Sequence, residues 1–422
     1  MRKLYLAAWS LLLTVAPSTS ALAQPAPADR PTTVAIGAPP ATPAPPATPG
    51  PEVTLAPGKG LTVTSADKRF QVTFRSRAQL RETFTHSDDL NTNEVSVRTL
   101  RFSTYGYVLT PELKYLIQLA FGPNDFEKDN ASPVFDAYVE YVGVRDFNVR
   151  FGQYFVPFDR ARTIREFALQ FVDRQGVVRE LTLDRDVGLM FSSTDLFGWG
   201  SRLAYNAYVG AGDGKNRVND INTQKPSLLT VGRITLRPFG AFDDDQEGDL
   251  TRGAKPRLAW GVAGGYNRST TRDHSTYGAF YTIGSFNYTH AATDLVFKWH
   301  GFSLLTEGVL RKANHRANGG QNAAGTHVTE YSRSGFGYFA QVGQMLTDKV
   351  ELTARWDDLH ANKGTDPAFE KLVRTSGRQL GGGVNVYLNG HAFKLQADYF
   401  YIFGSDIGQG SHALRAQLDA SF

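Results

Sequence analysis

Cysteine is absent from all 422 residues. An exported chain without it holds no disulfide and no thiolate metal site, so its stability must come from burial or from hydrogen-bond closure. Beyond residue 23 there is no run of 18 apolar residues, and the mean hydropathy is -0.31, which excludes a helical membrane span. A net excess of one sign of charge is nearly lacking: 45 Lys and Arg stand against 41 Asp and Glu, a formal +4 with a pI near 9.0. That mild excess does not make the dense basic patch of a nucleic-acid-binding domain, so no such partner is expected. The sequence has no G-x-S-x-G. Its nine histidines, at 86, 274, 290, 300, 315, 327, 360, 391 and 412, are scattered without metal spacing. No catalytic residue, metal or other cofactor is expected.

What is present begins with a processing signal. Arg2 and Lys3 precede an apolar run over 4–16 that is too short to span a bilayer, and Ala21-Leu22-Ala23 offers an A-x-A cleavage site. Residues 1–23 are therefore expected to be a signal peptide directing export from a bacterial cytoplasm. Residues 24–58, with APPATPAPPATPGP at their centre, are too rich in Pro, Ala and Thr to bury a core and favour extended polyproline II. A stiff tether is expected there, and a folded body over 59–422.

From Lys68 the chain alternates with period 2. Phe70, Val72, Phe74, Ala78 and Leu80 fall on one face of a strand; Gln71, Thr73, Arg75, Arg77, Gln79 and Arg81 fall on the other. About 16 such segments begin near Lys68, Val95, Leu113, Val134, Phe147, Asp186, Ser201, Leu229, Leu258, Thr293, Gly301, Phe336, Lys349, Gln379, Ala392 and Ala413, each roughly the length of a tilted membrane strand. The fold expected is all-β: a transmembrane antiparallel β-barrel of about 16 strands in the outer membrane, with lipid outside and water within.

Short connections such as 110–112, 144–146, 299–301, 346–348 and 388–390 alternate with longer polar ones such as 242–255, 312–334 and 359–376. Outer-membrane barrels have this asymmetry, with short periplasmic turns and long external loops. Within 242–255 the run Asp243-Asp244-Asp245-Gln246-Glu247-Gly248-Asp249 reads as a solvated external loop or a gathering point for Ca²⁺, although its spacing departs from the EF-hand pattern. In the last segment Leu414, Ala416, Leu418, Ala420 and Phe422 share a face. A closed barrel needs this strand to pair with the first and leave no edge. Phe422 resembles the signal by which the barrel-assembly machinery recognises its clients.

The stretch 147–190 departs from the hairpin rhythm. Between two alternating segments lies an excursion well above the usual hairpin length, crowded with arginines and carboxylates. It also carries Ile164, Phe167, Leu169, Phe171, Val177, Val178 and Leu181. A solvated loop has no use for such anchors, so this one is expected to fold inward and narrow the pore.

In order along the chain, PELKYLIQLAFG (111–122), FGQYFVPF (151–158), FVDR (171–174), RDVGLMF (185–191), RPFG (237–240) and LQADYFYIFG (395–404) resemble the phosphate-selective porin O and P family. The resemblance covers nearly all of 68–422. It implies a 16-stranded homotrimeric barrel whose third external loop folds inward, with basic residues that attract phosphate and other small anions. On that pattern the anion-attracting positions are Arg75, Arg77 and Arg81 of the first strand and Arg160, Arg162, Arg165, Arg174, Arg179 and Arg185 of the loop. Asp159, Glu166, Asp173, Glu180, Asp184 and Asp186 balance the loop arginines. The basic residues therefore either carry a field or pair with carboxylates and hold the wall. Asp136, Glu140, Glu307, Asp398 and Asp419 stand on polar faces and offset the field. The Pro/Ala tether takes the place of the family's N-terminal coiled-coil segment.

The rival of a different class is an outer-membrane barrel enzyme of the lipase or protease type. It needs a Ser, a His and an acid brought together from distant positions. A TonB-type transporter, with a plug and 22 strands, needs far more chain.

Overall fold

The computed structural model describes residues 50–422 apart from 88–89, 124, 128–131 and 217–225. The expected signal peptide and most of the tether lie outside these residues. A hairpin of β1 (Glu52–Ala56) and β2 (Gly60–Thr64) leads into β3 (Phe70–Ser87), β4 (Leu90–Val108), β5 (Leu113–Ala120), β6 (Val134–Tyr141), β7 (Asn148–Phe155), β8 (Arg185–Ser193), β9 (Leu203–Gly210) and β10 (Leu228–Leu236). Next come β11 (Arg257–Thr270), β12 (Phe286–Trp299) and β13 (Phe302–Ala313), then the external hairpin β14 (Ala317–Gln321) and β15 (His327–Tyr331). The chain ends with β16 (Gly335–Met345), β17 (Val350–Ala361), β18 (Arg378–Asn389), β19 (Phe393–Phe403) and β20 (Ser411–Ser421).

Sixteen of these strands, β3 to β13 and β16 to β20, close an antiparallel barrel in sequence order. Closure is made where β20 pairs with β3, from Ser411 opposite Ser87 to Ser421 opposite Arg77. Closure leaves no open strand edge between β3 and β20, so that apart from a few bulges the ladders satisfy the backbone N–H and C=O groups, which is what a hydrocarbon environment demands. The period of 2 sorts the side chains. On β3, Phe70, Phe74 and Leu80 are exposed on the outer wall while Thr73, Arg77 and Gln79 are buried in the interior. Exposed Phe70, Phe147, Trp199, Phe239, Trp299 and Phe393 lie at the end that carries the short connections, as in the aromatic girdles of outer-membrane barrels. With this belt the barrel belongs in the outer membrane.

Two sequence expectations are corrected here. Residues 52–56, assigned to the tether, form β1, and β2 adds to β3 from Thr64 opposite Gln71 to Leu61 opposite Phe74, beyond the point where β20 leaves it. Gly60 permits that approach, with φ +89°, where a Cβ would meet the Phe74 carbonyl oxygen at 2.0 Å. The second correction concerns 242–255. Counting strands puts the connection 237–256 between β10 and β11, at the periplasmic end with the short turns. It is not external, and it is solvated only in part: Asp244, Glu247 and Asp249 are buried, while Asp243, Asp245 and 251–256 are exposed. The segment 156–184 therefore enters the lumen from outside, and the middle of 237–256, around 244–249, meets it from the periplasmic side.

Candidate functional site

The inward loop 156–184 contains two short helices, α1 (Arg160–Thr163) and α2 (Gly176–Leu181). Its apolar anchors pack on the inner wall in two clusters. Phe158, Val177, Leu181 and Leu183 meet Val231, Ala263, Ala292 and Val309, and Ile164, Leu169 and Val178 meet Ala259, Val296, Leu305 and Phe339. Burying each such side chain is worth about 1.5–3 kcal/mol. Five neighbouring strands of the interior wall, β10 to β13 and β16, thus carry apolar patches at the level of the loop, interleaved with Arg233, Asp294 and Glu307, where an open pore would require polar residues throughout.

An irregular segment inside a barrel has no ladder for its own N–H and C=O groups, so side chains must supply partners. The wall does this with charge. Glu307 accepts from the backbone N–H of Arg160 and of Ala161, both at 3.0 Å. Asp357 accepts from Gly176 N–H at 2.6 Å, at the start of α2, and Asp398 from Val172 N–H at 2.9 Å. Lys394 donates to the carbonyls of Phe167 and Leu169 at 2.9 and 2.8 Å. The carboxylates of β13, β17 and β19 are thereby committed to seating the loop.

The acidic run fastens the same loop from below. Asp244 accepts from Arg160 at 2.8 Å and from Arg237 at 2.9 Å. Glu247 accepts from Gln170 N–H at 2.6 Å, while its own N–H donates to the Ala168 carbonyl at 3.1 Å. The segment itself is held by Lys298, which donates to the carbonyls of Asp243 and Gln246 at 2.7 and 2.8 Å. These carboxylates are occupied by guanidinium and amide donors, and no group of three or more metal-ligating side chains occurs among the described residues.

What remains open is the side of the lumen along β3 to β10. A cavity of about 860 Å³ runs there from the loop toward the periplasmic end. It is lined by Arg75, Arg77, Arg101, Arg145, Arg150, Arg160, Arg165, Arg174, Arg185, Arg233, Arg237 and Lys114, against Asp136, Glu140, Glu166, Asp243 and Asp245. Basic side chains outnumber acidic ones twelve to five in this lining.

Six of the nine positions taken from the sequence, Arg75, Arg77, Arg160, Arg165, Arg174 and Arg185, line this cavity. Arg81, Arg162 and Arg179 line a smaller space of about 70 Å³ on the external side of the loop, together with Arg98 and Arg174. Their partners divide them further. Arg77 lies 3.5 Å from Asp419, and Arg81 lies 2.9 Å from Asp173 and donates to Gln417 and the Val172 carbonyl. Arg160 is shared by Asp244 and Asp294, Arg162 pairs with Asp184, and Arg185 pairs with Asp136 at 2.7 Å between the rings of Phe135 and Phe155. Arg174 spends its donors on the loop carbonyls of Ala161 and Ile164, and burial pulls its guanidinium down to about 10. Among the described residues, Arg75, Arg165 and Arg179 have no carboxylate at ion-pair distance. Arg75 stands 5.6 Å from the ring of Tyr105 and 5.7 Å from that of Phe167.

The loop carboxylates do not chiefly neutralise the loop arginines. Asp173 takes Arg81 and Arg415, and Glu180 takes Arg311, Arg333 and His274. Glu166 takes Arg101 at 2.8 Å. Arg101, Arg150, Arg233 and Arg237 were not singled out from the sequence. The signal was available: Arg150 stands between Val149 and Phe151 and Arg101 between Leu100 and Phe102, on the polar side of an alternating strand.

No family model matches the sequence, and no curated protein matches it. Solved structures do. The outer-membrane channel DcaP of Acinetobacter baumannii aligns over 83% of this chain and 97% of its own, at 12% identity and TM-score 0.50. OmpF of Salmonella typhi, solved in complex with daunomycin, aligns over 88% and 100% at 12% identity and TM-score 0.51. A loop L8 deletion mutant of the Vibrio cholerae outer-membrane protein OmpT aligns over 83% and 99%, at 12% identity and TM-score 0.50. At such identity the likeness concerns architecture, and the chain shares with these proteins the fold of an outer-membrane porin barrel.

Proposed function

We propose that the chain is an outer-membrane porin, a water-filled channel for passive diffusion of small hydrophilic solutes, with a preference for anions and phosphate among them. The observation that carries this reading is the sorting of charge across the lumen. Glu307, Asp357 and Asp398 are consumed in hydrogen bonds to the loop, while the open cavity is lined by twelve basic side chains against five acidic ones, contributed by the wall, the loop and the periplasmic segment. Low-dielectric walls focus such a field and raise the local concentration of counter-ions. Phosphate, and assembly as a homotrimer, rest on the motif resemblance. The arginines that a phosphate would meet are Arg75, Arg77, Arg165 and Arg174.

The hydrolase alternative finds no support in the geometry of the described residues. Ser275 and His290 are hydrogen-bonded at 3.0 Å, but both are fully buried and the other ring nitrogen of His290 has no carboxylate partner. The deciding experiment is the reversal potential of the purified protein in a planar bilayer under a KCl gradient. Chloride should permeate better than potassium, and added phosphate should reduce the chloride current. A cation-selective channel overturns the anion preference, and the absence of any conductance overturns the channel.

A further inference from the structure

Glu166 belongs to the inward loop, yet its carboxylate reaches across the passage to the opposite wall. One oxygen lies 2.8 Å from Arg101 Nη2 and 3.5 Å from the Thr99 hydroxyl, both on β4. The residue lines both the large cavity and the small external one, as do Gln79 and Arg174, so it stands in the septum between them. Arg101 has two carboxylate partners of different character. Asp125 is buried, lies 3.1 Å from Arg101 and is fixed by the Gly122 N–H at 3.0 Å. The Glu166 side chain is 27% exposed and reaches Arg101 from a three-residue helical turn, Glu166–Ala168. Burial alone would raise the Glu166 carboxyl, but Arg101, Arg174, Arg98 and Arg162 outweigh it and hold the group well below the usual carboxylate range.

Asp125 therefore positions the guanidinium, and Glu166 is the partner that water can reach. We propose that Thr99, Arg101 and their arginine neighbours form a carboxylate-binding subsite in the constriction, filled here by the protein's own Glu166, and that a solute carboxylate passes by exchanging with it. Exchange replaces one monoanion by another on Arg101 and leaves the displaced Glu166 in water, so no further ion has to move. The inference rests on the channel reading above and adds a gate residue and a solute class to it.

The test uses full-length protein in planar bilayers, as wild type, Glu166→Gln and Glu166→Ala, in potassium chloride and in potassium acetate. Wild type should conduct acetate. Both variants should raise chloride conductance by roughly twofold or more and move the reversal potential further toward anions, because one fixed negative charge leaves a focused field. In the variants, added acetate should inhibit the chloride current more strongly than in wild type, since the subsite is empty. Unchanged conductance, reversal potential and acetate inhibition in both variants overturn the proposal while leaving the channel intact. Heat-modifiable migration checks assembly. A Glu166→Gln chain that fails to assemble makes the residue a structural anchor and also overturns the proposal, and a wild type without conductance removes the channel reading itself.

Discussion

Phe422 and Ser76 exchange both of their backbone hydrogen bonds, Phe422 N–H to the Ser76 carbonyl at 3.0 Å and Ser76 N–H to the Phe422 carbonyl at 3.1 Å. They are the lowest rung of the β20–β3 seam, just beyond the Ser421 and Arg77 pair. Two net hydrogen bonds are worth about 1 kcal/mol each, and more where lipid offers no substitute. A chain lacking Phe422 should yield less heat-modifiable barrel in the outer membrane. If recognition by the assembly machinery also runs through this residue, as its resemblance to that signal implies, Phe422→Ser should lower the yield while the purified barrel keeps its melting temperature. Equal yields from wild type and both variants would remove Phe422 from closure and recognition alike.

The barrel itself was legible because lipid outside and water inside impose period 2 on every strand. All sixteen expected segments correspond to barrel strands. The boundaries slipped where that contrast ends. β4 starts at Leu90, ahead of the expected Val95, because Asn91, Thr92, Asn93 and Glu94 extend the ladder into water, where neither face needs to be apolar. β12 starts at Phe286, ahead of Thr293, because its first half is inverted: Tyr288 and Ala292 are buried inward while Thr289 faces out. The inversion is the imprint of the inward loop on the wall, and it becomes readable only once the loop is known to pack there. The loop's seats were illegible for another reason. Asp398 holds Val172 across 226 positions of sequence, and no local pattern records such a pair. The acidic run 243–249 was misplaced because loop length stood in for side. The parity of the strands, not their spacing, puts it at the periplasmic end.

Asp244 ties the periplasmic segment to the inward loop. Its carboxylate and the Arg160 guanidinium are both nearly inaccessible, at 5% each. Removing one partner of a buried pair costs about 3–5 kcal/mol. Asp244→Asn should therefore lower the unfolding midpoint in denaturant. The barrel should still assemble, since Glu307, Asp357 and Asp398 continue to hold the loop backbone. Arg160 and Arg237 would also lose a counter-charge at the cavity wall, so the reversal potential should move toward anions. A variant with wild-type stability would make the segment a bystander.

His274, in the external connection 271–285, touches Asp273 at 2.6 Å and Glu180 of the inward loop at 3.2 Å. Burial alone would lower the imidazole, but the hydrogen bonds to Asp273 and Glu180 and the charge of Glu180 outweigh it, against repulsion from Arg311, and hold the group above its ordinary value. A raised histidine contributes stability that is fully present below an unfolded value of about 6.5 and is lost as pH rises through the higher folded value. The contact between 271–285 and the inward loop should loosen as pH rises through that raised value. Limited proteolysis within 271–285 should be slow at about pH 6 and faster at about pH 8.5, and His274→Gln should flatten the difference. An undiminished pH dependence in that variant would assign the titration to another group.

Arg75 and Arg81 occupy the same face of β3, six residues apart, and should behave as opposites. Arg81 is committed: it lies 2.9 Å from Asp173, donates to the Val172 carbonyl at 2.8 Å and holds Gln417 at 3.0 and 2.9 Å. Its charge is largely cancelled, and its loss removes the hydrogen bonds that tie Val172 and Asp173 of the loop to β3. Arg75 meets only aromatic faces and water among the described residues, so its charge projects into the passage. A charge here acts on any ion within the Debye length of about 8 Å at physiological salt. Arg75→Gln should reduce anion preference in a KCl gradient and leave the melting temperature within error of wild type. Arg81→Gln should do the reverse, costing about 1.5–3 kcal/mol for a lost charged hydrogen bond with a small change in reversal potential. Arg77, 3.5 Å from Asp419 and stacked 3.6 Å above the ring of Phe167, should fall between them. The converse pattern, with selectivity following Arg81 and stability following Arg75, would mean that the open side of the lumen is not the route that ions take.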